Sequence, residues 1–242
     1  MNGSLSSNSL LLGAMKSSES IEGCDVVICP PFVFLSQCIG EVPSKEFAIG
    51  AQDVSAHEEG AYTGEVSASM LADVGCEYVI VGHSERRQFH GESNELVARK
   101  AALVMDAGLT PIVCLGETLV QRESGNAFQI LAEQLAAVLN VIDTERVRPI
   151  VVSYEPVWAI GTGKTATPEI AQEVHSMLRE MLNSKRHNLG VDTRILYGGS
   201  IKPENAMALF SMPDIDGGLV GGASLDGGAF MSIVKSASSM GC

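Results

Sequence analysis

The sequence is poor in positive charge. Sixteen Lys and Arg stand against 29 Asp and Glu, a formal charge of −13 over 242 residues. A surface this acidic repels nucleic-acid phosphates and anionic lipid, which argues against both as partners. Any anion this chain binds must be held locally, by backbone N–H groups or a helix N-terminus. No apolar run reaches the roughly 18 residues of a transmembrane span. The six cysteines, Cys24, Cys29, Cys38, Cys76, Cys114 and Cys242, form no C-x-x-C pair, which argues against a zinc ribbon or a thioredoxin-like site. Met1–Ser9 has no basic stretch followed by an apolar core, so no secretory signal is read there and a reduced, cytoplasmic setting is expected. His57, His90, His175 and His187 lack ligand-like spacing, so no metal is expected. His175 and His187 read as helix-surface residues.

What is present suits one folded domain over 1–242. The chain is 45% hydrophobic and only 19% charged, which fits neither disorder nor a coiled coil. Seven nearly continuous apolar runs recur: Asp25–Cys29, Phe47–Ala51, Glu77–Val81, Thr110–Leu115, Ile150–Glu155, Thr193–Tyr197 and Asp216–Val220. Strands buried on both faces read this way, as in a parallel sheet covered by helices. Helical patterns lie between them. Ser93–Asp106 carries one apolar face and ends near Gly108, Thr118–Asn140 reads as one long amphipathic stretch, and Thr167–Pro168 caps and opens Glu169–Asn183. Pro203 opens a shorter helix. Asn2–Ser20 is at most a weak helix and not a strand. The alternation predicts a parallel α/β fold. Seven strands suit an open sheet or a barrel short of one strand, and 242 residues fall slightly below the roughly 250 of a closed eight-stranded barrel.

In such folds ligands bind past the C-terminal ends of the strands. Past the third run stands Gly82–His83–Ser84–Glu85–Arg86–Arg87. A histidine there sits at a helix N-terminus, which disfavours its charged form. Taken alone, this motif reads more readily as a packed His83 with Arg86 and Arg87 in surface ion pairs. Glu155 closes the fifth run and precedes Pro156, so its carboxylate is placed in the crevice as a candidate general base. The stretch after it holds the only Trp, Trp158, among small residues, a composition that suits either a closing loop or an ordinary connection. Gly198–Gly199–Ser200 and Gly221–Gly222–Ala223–Ser224 follow the last two runs. Glycine pairs at two consecutive strand ends favour backbone binding of a phosphate.

These segments resemble the triosephosphate isomerase family from Asn2 to the last helix. The matching runs are Pro30–Pro31–Phe32, Gly60–Ser67, Val81–Arg87, Pro111–Thr118, Tyr154–Lys164, Tyr197–Ser200 and Val220–Leu225. The resemblance implies a (β/α)8 barrel that interconverts dihydroxyacetone phosphate and D-glyceraldehyde 3-phosphate, in glycolysis and gluconeogenesis, without metal or cofactor. Its division of labour between a base, a neutral histidine and a closing loop is already described for this enzyme. By resemblance Glu155 is the base and His83 the neutral electrophile, with Glu85 a supporting residue. Gly161, Ser200, Gly221 and Gly222 hold the phosphate, and Pro156–Ala166 is the lid. The loop around Thr63 enters a partner subunit, implying a homodimer.

One part of the family pattern has no counterpart. The family's first strand ends in Asn-x-Lys and continues into Met-Asn-Gly-Ser, and Met1–Asn2–Gly3–Ser4 matches only that tail. Lys16 lies inside the first helical region and is no substitute. The expectation is a barrel lacking its first β-strand, impaired in turnover, whose sequence begins at an internal methionine of a longer chain. The alternative is a catalytically dead barrel retained as a binding or assembly protein.

Overall fold

The computed structural model describes residues 1–16, 22–43, 46–142, 150–159 and 166–240. Among these, seven strands form one parallel sheet in sequence order: β1 (Val27–Ile28), β2 (Ala48–Ala51), β3 (Tyr78–Val81), β4 (Thr110–Leu115), β5 (Val151–Tyr154), β6 (Arg194–Tyr197) and β7 (Gly217–Gly218). All seven predicted runs contain a strand. β1 and β7 each pair on one side only, and they are the shortest. This is α/β architecture with helices between strands, the pattern of a (β/α)8 barrel.

The strands are apolar throughout because both faces are covered. Along β3 and β4 the side chains alternate. Val79, Val81, Val113 and Leu115 pack with the helices, whereas Ile80, Ile112 and Cys114 form an inner cluster with Cys29, Tyr78, Val151, Leu196 and Leu219. Burial pushes the Cys29 thiol up to about 12 and raises Cys114 well above the usual range, so both are packing residues here. The sheet curls enough for helices from the two ends of the chain to meet. Leu5–Lys16 packs on Gly227–Ser238, where a Cβ on Gly227 would lie 2.8 Å from Ala14 Cβ. Ser238 also donates a hydrogen bond to the Glu22 carbonyl just before β1.

Several helical expectations match. Ser93 and Thr167 cap their helices through side-chain oxygens, and Pro168 and Pro203 open theirs. Thr118–Asn140 is corrected to two helices, Leu119–Glu123 and Ala127–Leu139. The chain breaks between them at Ser124–Asn126, where Gly125 takes φ +77°.

His175 is also corrected. It is fully buried on the core face of Pro168–Lys185, edge-on to the Tyr154 ring at 5.9 Å. Its Nδ1 lies 3.1 Å from the Asp214 carbonyl, so that nitrogen carries the proton, and Nε2 has no partner. Burial pulls its pKa down to about 4, against the partly compensating Asp214 carbonyl and Asp216 charge. In the unfolded chain the ring titrates near 6.5. The unfolded state therefore binds the proton first as pH falls. Stability on this account is complete above about 6.5 and falls by about 3 kcal/mol as pH drops to about 4. His175→Asn keeps a donor for Asp214 and removes the titration. Its unfolding free energy is expected to depend less steeply on pH across that window, and equal slopes in both proteins would refute the assignment.

Candidate active site

His83 and Glu155 follow alternate strands, with β4 between them. His83 comes two residues after β3, and Glu155 directly follows β5. Side chains at one level of alternate strands meet inside a barrel. Here His83 Nε2 lies 2.9 Å from Glu155 Oε1. The path of the chain depends on Gly82, which has φ +69° and would place a Cβ 2.6 Å from Val97 Cγ1. Only glycine fits that turn out of β3 into the helix Ser84–His90.

The hydrogen bonds orient both side chains. His83 caps the helix, its Nδ1 accepting the Glu85 N–H at 3.3 Å. The ring proton therefore sits on Nε2 and is donated to Glu155. The other Glu155 oxygen, Oε2, accepts the Ser84 N–H at 2.8 Å. The Glu155 residue is 1% exposed, yet both of its carboxylate oxygens are partnered. Burial lowers the His83 pKa, but the hydrogen bond and charge of Glu155, with the Glu85 charge, outweigh it and place the value above normal. This corrects the expectation that the ring's place at a helix N-terminus disfavours its charged form, since the carboxylate beside it acts in the opposite direction. The acceptor role of Nδ1 still belongs to the neutral tautomer. Glu85 is exposed, with its carboxylate 3.8 Å from Nδ1.

Glycines crowd Glu155. A Cβ on Gly198, after β6, would lie 2.9 Å from Glu155 Cγ and 2.7 Å from Ser153 Oγ. Ser200, Gly221 and Gly222 lie past β6 and β7. Gly221 leads into the short 3-10 turn Gly222–Leu225, and a Cβ on either glycine would meet nothing within 4 Å. Packing does not demand these two glycines, and both are exposed. Gly161 lies outside the described residues, as does 160–165 of the predicted lid. Thr63 stands exposed in a loop whose Tyr62 ring stacks on His57 at 3.7 Å.

The sequence reading missed two clusters. Glu117, fully buried just past β4, accepts from Trp158 Nε1 at 2.8 Å, Tyr154 Oη at 3.0 Å and Arg122 Nη1 at 3.0 Å, all on Oε1. Arg122 also stands 5.2 Å over the Trp158 ring. Burial and the Glu117 charge drive the Tyr154 pKa upward. Arg86 and Arg87 are not simple surface ion pairs. Arg86 joins a part-buried network with Asp53 (2.9 Å) and Glu92 (2.6 Å), both of which also bind Lys100. Arg87 donates to the Gly82 and Cys114 carbonyls and to Asn94. Among the described residues no group of three His, Cys, Asp or Glu side chains is placed to hold a metal ion. No helix among them is long and apolar enough to cross a membrane.

Comparison with known proteins finds one family along nearly the whole chain. The family model described as Triosephosphate isomerase matches residues 1–237. A triosephosphate isomerase of Herminiimonas arsenicoxydans is 55% identical over 237 residues, covering 98% of this chain and 96% of that protein. Those of Cupriavidus taiwanensis and Coxiella burnetii (strain Dugway 5J108-111) are 50% and 53% identical, each over 96% of this chain and covering 94% and 92% of their own.

Proposed function

The chain belongs to the triosephosphate isomerase family, and from that premise we propose that it interconverts dihydroxyacetone phosphate and D-glyceraldehyde 3-phosphate in the cytoplasm, as one barrel domain. The observation that carries the site assignment is the buried Glu155 carboxylate held 2.9 Å from His83 Nε2. Glu155 removes a proton from the carbon beside the carbonyl and returns it to the neighbouring carbon. His83 donates Nε2–H to the carbonyl oxygen as it becomes the enediolate oxygen. This assignment of base and neutral histidine is the one known for the family. In the structure Nε2–H is directed at Glu155 itself, so the substrate oxygen must replace the carboxylate as its acceptor. That exchange frees Glu155 for the carbon acid.

The phosphate is assigned to the main chain at Gly161, Ser200, Gly221 and Gly222, donors that suit a chain of net charge −13. Pro156–Ala166 closes over the enediolate and excludes water. Glu85 supports the site beside His83. No metal or cofactor enters the scheme. The test is a coupled assay on the purified chain with each triose phosphate in turn. Interconversion in both directions is expected, and no turnover above the uncatalysed rate would overturn the assignment.

The loop bearing Thr63 is read as the element that enters a second copy. A homodimer of about twice the 25.5 kDa chain mass is expected in sedimentation. A monomer at micromolar concentration would exclude it. Because no Lys or Arg side chain among the described residues bonds to His83 or Glu155, turnover is proposed to be slower than that of the family.

A further inference from the structure

Gln134 lies on the helix Ala127–Leu139 among Leu131, Leu135 and Val138, all buried. A glutamine on that face is costly unless its amide is satisfied. Both ends of the amide meet one residue. Gly116 N–H donates to Gln134 Oε1 at 2.8 Å, and Gln134 Nε2 donates to the Gly116 carbonyl at 3.0 Å. Gly116 is the first residue past β4. The preceding residue still bonds the segment just past β5, since Glu155 N–H donates to the Leu115 carbonyl at 2.7 Å. The Gln134 amide continues this pairing from the helix side, where the strand has ended.

The fixed peptide touches two parts of the site. A Cβ on Gly116 would lie 2.2 Å from the Glu155 carbonyl oxygen and 3.0 Å from Val157 Cγ2, so the Gly116 main chain packs directly on the Glu155 backbone. The next residue is Glu117, which holds Trp158 and Tyr154. Rotation of the Gly116 peptide would displace the backbone under Glu155 and the anchor of Trp158 together.

We infer that Gln134 is a positioning residue for the isomerisation, clamping the Gly116 peptide so that Glu155 and Trp158 keep their places. The inference rests on the reading of Glu155 as base. Gln134→Met has similar length and no amide. It is expected to lower kcat about 10- to 100-fold through a small misplacement of the base, with KM changed less than about twofold on the same account. Trp158 is the only tryptophan, so its emission reports the anchor without reference to activity, and a shift is expected. Val138→Ala, one turn farther along the same helix, controls for lost stability. It should lower Tm while leaving Trp158 emission and kcat near wild type. Unchanged emission and kcat in Gln134→Met would overturn the inference, as would equal losses in Val138→Ala at matched stability. If the wild-type chain shows no turnover, the base assignment fails. In that case a Trp158 shift confined to Gln134→Met supports the clamp, and unchanged emission overturns it.

Discussion

Glu155→Gln is expected to lower kcat by about 10²–10⁴-fold, the usual contribution of a positioned general base, in a protein that still folds. The substitution preserves shape and leaves the Glu155 N–H bond to Leu115 intact. The amide keeps one oxygen, enough to accept from Ser84 N–H or from His83 Nε2–H but not both in the present geometry. His83 cannot adapt easily, because Nδ1 already accepts from Glu85 N–H. One of the two contacts is lost, at a cost of roughly 1–3 kcal/mol. Loss of the carboxylate also removes the charge that raises the His83 pKa, so its titration in NMR moves down. Circular dichroism with a coupled assay separates folding from chemistry. Turnover within a few-fold of wild type would remove Glu155 as the base.

Much of this geometry is legible in the sequence, for identifiable reasons. Strands covered on both faces leave continuous apolar runs, so all seven were located. The run Thr110–Leu115 coincides with β4 at both ends, whereas the outermost runs are too long. Asp25–Cys29 and Asp216–Val220 shrink to two residues each because β1 and β7 have a partner on one side only. Thr118–Asn140 reads as one helix because apolar spacing resumes beyond Gly125, while the break depends on one backbone angle. His175 reads as a helix-surface residue, yet it is fully buried. Its position was more informative, since it shares a helix face with Ala171, Val174, Leu178 and Leu182. Gln134 stands in the same relation to Leu131, Leu135 and Val138. Glu117 also had a positional signal, because it lies just past β4 as Glu155 lies past β5. The partners of Arg86 and Lys100 had none. Lys100 meets Asp53 across 47 positions, and only the closed tertiary structure joins them.

The second large effect concerns a charge. The reacting substrate brings a phosphate and develops an enediolate, and the site already holds carboxylates at Glu155 and Glu85 beside His83. Among the described residues no Lys or Arg side chain bonds to His83 or Glu155. Arg87, which feels the Glu155 charge, spends its guanidinium on Gly82, Asn94 and Cys114. The proposed phosphate donors are main-chain N–H groups, which orient an anion but carry no net charge. Removal of one preorganised donor from such a site costs about 10²–10³ in rate. A polypeptide of these 242 residues is therefore proposed to turn over at least about 10²–10³-fold more slowly than the Herminiimonas relative under the same conditions. The deficit should lie in kcat rather than KM, because the missing stabilisation acts chiefly on the developing charge. Side-by-side coupled assays decide the matter. Equal kcat values would mean that the site obtains its positive charge elsewhere, and would overturn the proposed impairment while leaving the assignments of Glu155 and His83 intact.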